Sequence, residues 1–422
     1  VKVAIIAEVY LPKVDGVVGR TVNLIRQLQS LGDEVLVVCP KVSQPRNSPA
    51  AVVEFRGFPC ASYPEYVIGI PDESLVTQLK IFQPDVIHFL NPFAFGFQCF
   101  DVISRSDLNI PTVFSFHTLY GEFVKQYRGL RPLSRLLWWL TRSYHNTAMT
   151  NLTVSVPMQD ELRERGFRNV ELWPPAVDCN LYSPSRKTYD MRCRLSGNHP
   201  ESPLLLTVSR LASEKNVSFL TQVLDRLPNA RLAIVGGGPQ EEELRRQFAK
   251  YPAEFVGYLR GEELAAAYAS ADAFVYASET ETMGNVILEA MACGLPVVAA
   301  AAGGVPSLVQ HGVDGFLYKP RCGKEAAGYV SQLMTSRTLR EQMSAAAVDS
   351  TSRRTWRDSA MAVRNQYQQA IQQHSSVDVT KSRSPLAARL CTSALVRLFQ
   401  LAAPSESTPK APEFGPARPR TA

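Results

Sequence analysis

"WPPAVDCNLYSPSRK", residues 173–187, is dense in proline and turn formers and cannot continue a helix or a central strand. What flanks it decides the fold. Upstream, apolar runs alternate with amphipathic segments. "KVAIIAEV" (2–9) has the make-up of a buried strand. "TVNLIRQLQSLG" (21–32) repeats Val22, Ile25 and Leu28 at helical spacing and stops at Gly32. "EVLVVCP" (34–40), "DVIHFL" (85–90), "TVFSFHT" (112–118) and "LTVSVP" (152–157) read as further strands, the last leading into the helix "MQDELRERG" (158–166). Downstream the same rhythm restarts with "PLLLTVSR" (203–210), "ARLAIVGG" (230–237), "EFVGYL" (254–259), "DAFVYAS" (272–278) and "PVVAA" (296–300). Strand–helix alternation on both sides predicts an α/β protein of two doubly wound, Rossmann-like domains, 1–180 and 181–355, facing one cleft. Ligands of such sheets bind beyond the carboxyl ends of the strands, so the facing strand ends are expected to form one interdomain site.

The totals fit this division. At 422 residues and 45% hydrophobic content the chain exceeds one ordinary domain. Eight cysteines without a CxxC pair point to a reduced compartment and away from a structural zinc site. Six histidines show no HExxH-like spacing, and no metal is expected. A net charge of +6 is too small to indicate nucleic acid but suits an anionic ligand or surface. No apolar run reaches the length of a membrane span. The chain opens as "VKVAIIAEVY", already inside a strand pattern, so a preceding segment, including any transit peptide, is expected. Residues 375–422 are expected to be disordered; "LAARLCTSALVRLFQLAA" (386–403) within them has the alternative of a short basic amphipathic helix.

The second domain carries "SETETMGNVILEAMACGLPVVAAAAGG", residues 278–304, with Glu281 and Glu289 eight positions apart. Alone the spacing is weak, because 39 acidic residues in 422 give roughly four such pairs by chance. The context is informative. An apolar strand ends at Ser278, Gly284 sits in the turn, and "NVILEAMA" reads as a helix with Glu281 before it and Glu289 within it. Were the stretch wholly helical, the carboxylates would lie about 12 Å apart along the axis. They are therefore expected to touch the two ends of an elongated ligand rather than one bond, as a glycosidase pair would. The helix N-terminus between them suits a diphosphate, and carboxylates accept from sugar hydroxyls, so the ligand suggested is sugar–diphosphate–nucleoside.

Other segments complete this picture. In "SRLASEKN" (209–216), Arg210 and Lys215 follow a strand end, where two cations hold phosphate oxygens. In "LPKVDGVVGR" (11–20), Gly16 permits close approach of backbone N–H groups to phosphate. "IVGGGPQEEEL" (234–244) lacks GxGxxG, so Gly236–Gly238 read as a structural turn. His117 ends a strand at the cleft, where it suits a sugar hydroxyl or an acidic substituent; His88 reads as structural. "EFVKQYRGLRPLSRLLWWLTRSY" (122–144) sets Lys125, Arg128, Arg131, Arg135 and Arg142 beside Trp138 and Trp139, a combination suited to an anionic membrane surface. The competing reading is a packed tryptophan pair under a solvated basic face.

Taken together, residues 278–304 resemble the Glu–seven–Glu motif of the retaining GT-B glycosyltransferases of family 4, and the resemblance extends over about residues 1–370. "YLPKVDGVVGR", "FHT" and "MRCRLSGNHPESPLLLTVSRLASEK" are similar, within that family, to the sulfoquinovosyltransferases of cyanobacteria and plastids. The resemblance implies transfer of sulfoquinovose from UDP-sulfoquinovose to diacylglycerol, with retention and without a cofactor or metal. Other lipid-directed members using UDP-glucose, UDP-galactose or GDP-mannose remain alternatives, as does a non-catalytic lipid-binding relative. It implies that Arg210 and Lys215 bind the diphosphate, Glu289 the ribose and Glu281 the sugar. Thr282, Gly284 and Asn285 would offer backbone groups, Gly257 and Tyr258 line the base pocket, Gly16 face the phosphates and His117 lie near the sugar. A helix over 356–374 is expected to pack towards the first domain. The implied location is peripheral on a chloroplast membrane, or on the cytoplasmic face of a bacterial one. Departures from relatives are Pro175 and Ala176, where a basic residue and glycine are usual, Ala277 for proline, and Asn285 for an apolar residue. By charge alone, Lys13, Arg20, His117 and Lys125 are candidates to meet a sulfonate in place of residue 175.

Overall fold

The computed structural model describes residues 1–13, 15–60, 63–118 and 134–376. Two parallel sheets form its framework. The first contains β1 (Lys2–Ala7), β2 (Glu34–Pro40), β3 (Ala51–Phe55), β6 (Val86–Leu90), β7 (Thr112–Phe116), β8 (Thr150–Thr153) and β9 (Val170–Leu172). Its order is β3-β2-β1-β6-β7-β8-β9, and β4 (Gly57–Cys60) and β5 (Tyr63–Gly69) form a separate antiparallel hairpin. The second sheet contains β10 (Leu204–Val208), β11 (Arg231–Val235), β12 (Ala253–Gly257), β13 (Ala273–Tyr276), β14 (Val297–Ala300) and β15 (Gly315–Tyr318), in the order β12-β11-β10-β13-β14-β15.

Helices cover both faces of each sheet, which is why the central strands are continuously apolar rather than alternating. In β1 every residue from Val3 to Ala7 is buried. Val3, Ile5 and Ala7 enter one core cluster, and Ala4 and Ile6 the cluster on the opposite face. β10 divides in the same way, Leu204, Leu206 and Val208 on one side and Leu205 on the other. In each sheet the order reverses beside the first strand, at β1/β6 and at β10/β13. The segments that leave β1 and β10 therefore open onto the crevice where such folds hold ligands.

The strand read over "LTVSVP" is shorter than expected: β8 ends at Thr153 and a helix, Val156–Glu164, starts with Pro157 in its first turn. Proline is tolerated there because that N–H has no helical partner. The short strands β3, β4, β9 and β15 have no separate sequence signal, since three to five residues carry too little periodicity. The last described helix, Trp356–Ser376, leaves the second sheet and packs on the Gly16–Ser30 helix of the first. Arg364 holds Asp33 there at 2.7 and 3.0 Å, and Tyr367 is fully buried against β6 and β7. The low-complexity region from 377 onward lies outside the described residues.

Candidate active site

The donor loop between β13 and the Asn285–Ala292 helix is organised by charge. The Glu281 carboxylate accepts from Lys215 Nζ at 2.7 Å and from the Tyr276 hydroxyl at 2.5 Å, and Lys215 Nζ also lies 3.4 Å from that hydroxyl. Burial alone would raise the Glu281 pKa. The Lys215 ammonium, the Tyr276 hydroxyl and the Gly284 N–H outweigh it and hold the carboxyl below its ordinary value. Glu281 is thus an anion, and Lys215, with three N–H donors, can keep this pair while offering another proton to a phosphate. The loop's backbone is locked from behind. Gly304 N–H donates to the Glu281 carbonyl at 2.7 Å, and a Cβ on Gly303 would fall 2.2 Å from that same oxygen. Only residues without a side chain permit this approach.

Glu289 is the fifth residue of the Asn285–Ala292 helix, just beyond its first turn. It accepts from the Tyr268 hydroxyl at 2.9 Å and from Tyr182. Burial dominates here, and the two hydroxyls only partly offset it, so its pKa is pushed up to about 7. The two glutamates share no partner among the described residues. Glu281 faces a cation and one phenol, Glu289 two phenols. Between them the helix begins at Gly284 (φ 85°) without a side-chain cap, leaving its first N–H groups for a ligand.

The first domain contributes the opposite wall. Gly16 starts the Gly16–Ser30 helix, and a Cβ there would come within 3.1 Å of Asn285 Nδ2. The N-termini of these two helices therefore approach one another across the cleft. His117 follows β7; its backbone N–H and that of Thr118 donate to Asn91 Oδ1 at 3.0 and 3.1 Å. The His117 carbonyl accepts from Thr282 Oγ1 at 3.0 Å, which ties the donor loop to the first domain. The imidazole is edge-on to Trp173, with 5.2 Å between ring centroids. Burial, the Arg20 charge and His88 hold it neutral, well below the usual histidine range. Arg20 itself is 1% exposed and lies over the Trp173 ring at 4.3 Å. It donates to the carbonyls of Trp173 (2.8 Å) and Pro174 (2.9 Å) and to Met283 Sδ of the donor loop. Burial lowers its pKa to about 9, and no carboxylate among the described residues pairs with it.

Several buried polar atoms around the cleft have no partner among the described residues: Arg20 Nε, Thr153 Oγ1, Ser155 Oγ, Ser209 Oγ and Asn285 Oδ1. Native proteins rarely leave such groups unsatisfied, so each of these atoms is open to a bond from water or ligand.

Residues 14–181 match the family described as Glycosyltransferase Family 4, and residues 194–349 the one described as Glycosyl transferases group 1. The sulfoquinovosyl transferase of Arabidopsis thaliana is 36% identical over 85% of this chain and 71% of its own length. The chain belongs to the GT-B glycosyltransferases of family 4. A second relative, the GDP-mannose-dependent alpha-mannosyltransferase of Corynebacterium glutamicum, is 30% identical over 91% of both chains. Among solved structures, sucrose-phosphate synthase from Thermosynechococcus elongatus superposes with a TM-score of 0.72 at 20% identity, covering 88% of this chain and 99% of the other, and supports the fold.

In this family-4 glycosyltransferase the residues singled out from sequence fall into three groups. Lys215, Glu281, Thr282, Gly284 and Asn285 converge on the donor loop, with Gly16 and His117 against it. Arg210 follows β10 on the exposed rim. Gly257 (φ 78°) ends β12, and Tyr258 is 67% exposed with its hydroxyl on the Gly237 carbonyl at 2.9 Å, an open shelf beside the glycine turn. That turn is structural: a Cβ on Gly236 would lie 1.9 Å from the Ser209 carbonyl oxygen. Of the residues expected at a membrane, Lys125, Arg128 and Arg131 lie outside the described residues. Arg135 and Trp139 face outward, but Trp138 does not stand free as expected. It packs against Phe167 (6.0 Å between centroids) with the Arg165 guanidinium 4.1 Å over its ring, because it borders the buried Leu137/Tyr144 stripe of the Ser134–His145 helix. Sequence reasoning missed Tyr276, Tyr268 and Tyr182, which set the state of the two glutamates. Tyr276 and Tyr268 sit in apolar segments, where a tyrosine reads as core.

Proposed function

We propose that the protein is a peripheral membrane glycosyltransferase that moves sulfoquinovose from UDP-sulfoquinovose to diacylglycerol with retention of configuration. The observation that carries the choice of an anionic sugar is Arg20. A buried guanidinium without a carboxylate is costly unless an anion completes it. Arg20 touches the donor loop through Met283, lies near His117, and is held by the carbonyls of Trp173 and Pro174. It thus brings a cation next to Pro175, where similar enzymes carry a basic side chain. The relation to the Arabidopsis enzyme supports the same reading. The mannosyltransferase likeness over 91% of both chains favours GDP-mannose as the second reading.

In the proposed reaction the bond from the anomeric carbon to the UDP oxygen breaks, and UDP leaves with the electron pair. The acceptor hydroxyl attacks from the same face, and its proton passes to the departing phosphate. Arg210 and Lys215 stabilise the charge that develops there, which makes a metal ion unnecessary in this scheme. Glu281 holds sugar hydroxyls, and Glu289, once ionised, accepts from the ribose. Arg135, Trp139 and Arg142 share the outer face of the Ser134–His145 helix, with Leu136 and Trp139 41% and 40% exposed. Cations beside an exposed tryptophan suit the interface of an anionic bilayer. The proposed setting is a plastid membrane, or the cytoplasmic face of a bacterial one.

The test uses purified protein, diacylglycerol vesicles with EDTA, and UDP-sulfoquinovose, UDP-glucose, UDP-galactose or GDP-mannose, with product lipids read by mass spectrometry. A sulfoquinovosyl lipid is expected. A neutral hexosyl lipid in its place would overturn the donor assignment, and product formed only when a divalent cation is restored would overturn the metal-free scheme.

A further inference from the structure

Behind His117 runs a buried chain of polar side chains that leads to the last described helix. The Tyr367 hydroxyl lies 2.7 Å from His88 Nδ1, His88 Nε2 lies 2.9 Å from Ser115 Oγ, and Ser115 Oγ lies 3.3 Å from His117 Nε2. All four residues are buried. The chain can be wired in two directions, and each leaves His117 in a different tautomer. If Tyr367 accepted from His88, its own phenolic proton would be stranded, because His88 Nδ1 is its only hydrogen-bond partner among the described residues. A buried unsatisfied donor is the costlier arrangement, so the phenol donates. His88 is neutral, with burial pushing its pKa down to about 3, so it carries one proton, on Nε2, and gives it to Ser115. Among the described residues the serine proton then has one remaining acceptor, His117 Nε2. The other ring nitrogen of His117, Nδ1, has no protein partner among the described residues and is not among the buried atoms left unsatisfied, so it is the ring nitrogen left open to a ligand.

We propose that Tyr367, His88 and Ser115 form a one-way hydrogen-bond relay that holds His117 as its neutral Nδ1–H tautomer, making the open ring nitrogen a donor to an acceptor atom of the transferred sugar. These three are positioning residues. The catalytic consequence rests on the reading that His117 lines the sugar site; the tautomer does not. The helix that carries Tyr367 also fixes the wall against which His117 rests: its Ser359 accepts from Trp173 Nε1 at 3.1 Å and donates to the Pro174 carbonyl at 2.7 Å. A locked donor matches a hydroxyl or sulfonate oxygen and rejects a group that needs an acceptor at that point.

The experiment is nitrogen-15 NMR of histidine side chains in the full chain, wild type against Tyr367→Phe and Ser115→Ala, with turnover and UDP affinity measured alongside. In the wild type, His117 Nδ1 is expected to give the signal of a protonated nitrogen and Nε2 that of a bare one. Both variants are expected to show a mixture of tautomers, and kcat is expected to fall about tenfold, the worth of one hydrogen bond, with UDP affinity within about twofold. His88→Gln, whose amide accepts at oxygen and donates at nitrogen, is expected to retain more turnover than His88→Leu. An Nε2–H signal in the wild type, or an unchanged tautomer in Ser115→Ala, would overturn the relay. Undiminished turnover in His117→Ala would overturn its catalytic consequence and the placement of His117 at the sugar, while leaving the tautomer result standing.

Discussion

The two walls of the cleft solve different problems with different chemistry. The second domain presents ions in direct contact: Lys215, Glu281 and the Tyr276 hydroxyl lie within 3.4 Å of one another at the mouth of a parallel sheet. The first domain presents neutral, buried groups wired from behind, His117 through Ser115 and His88, and a buried cation, Arg20, that among the described residues is held by carbonyls rather than by an acid. Mobile charge suits the wall where a diphosphate must be bound and released, because the ammonium can serve Glu281 and a phosphate in turn. Fixed dipoles suit the wall where a sugar must be oriented, since they need no reorganisation as the bond breaks. In the proposed reaction the second domain would stabilise the leaving group and hold sugar hydroxyls through Glu281, and the first domain would add discrimination of the sugar.

The contrast can be broken most sharply at Lys215. Lys215→Ala is expected to cut turnover about 10²–10³-fold, as loss of a transition-state charge partner does. Adding Glu281→Gln to that variant should cost less than Glu281→Gln costs alone, because the two side chains are directly bonded and their effects do not add. Turnover within about threefold of wild type would show that the charged wall does not stabilise the leaving group. Next in size is Arg20→Gln, expected to lower kcat/KM for UDP-sulfoquinovose about 10–100-fold, the value of a charge-assisted contact, with a smaller loss for UDP-glucose. An equal loss for both donors would remove Arg20 from sugar discrimination and leave it as a structural residue.

Glu289 gives an effect that depends on pH. Its folded pKa is raised to about 7, so the stability it contributes is full below the ordinary carboxylate pKa and is lost as pH rises through about 7. Ribose binding needs the ionised form, so UDP affinity should move the other way, rising roughly tenfold between pH 6 and pH 8. Calorimetry at the two pH values checks this, and Glu289→Gln should flatten the profile; a wild-type profile already flat would contradict the role. The smallest effect is expected outside the cleft. Trp139→Ser is expected to weaken binding to anionic vesicles about three- to tenfold, with UDP affinity unchanged. Sedimentation of vesicles with bound protein reads it, and equal binding by the variant would move the membrane face elsewhere.

The sequence made the two-sheet framework legible because each central strand, such as "VAIIA" or "LLLTV", is a continuous apolar run followed by a helix. The donor loop was legible for the same reason: Gly284, Asn285 and the two glutamates lie within one short stretch. What could not be read is what depends on contacts between distant segments. Trp138 and Trp139 are adjacent in sequence and identical in type, and only packing against Phe167 and Arg165 turns one inward. His88 read as structural, and its buried environment agrees, but its partnership with Tyr367 spans 279 positions and has no local signature. Arg20 carried a charge signal without any indication that it would be buried under Met283, 263 residues away.

The measurement that bears most directly on the division of labour is calorimetric binding of UDP to the wild type, Lys215→Ala and His117→Ala. In the proposed reaction the nucleotide lies on the charged wall, so Lys215→Ala should bind UDP at least about tenfold more weakly, the worth of one charge-assisted contact. His117→Ala should match the wild type in affinity while losing turnover. Were His117→Ala to lose UDP binding as severely as Lys215→Ala, or Lys215→Ala to bind it undiminished, the assignment of the diphosphate to Lys215 and of the sugar, not the nucleotide, to His117 would be wrong.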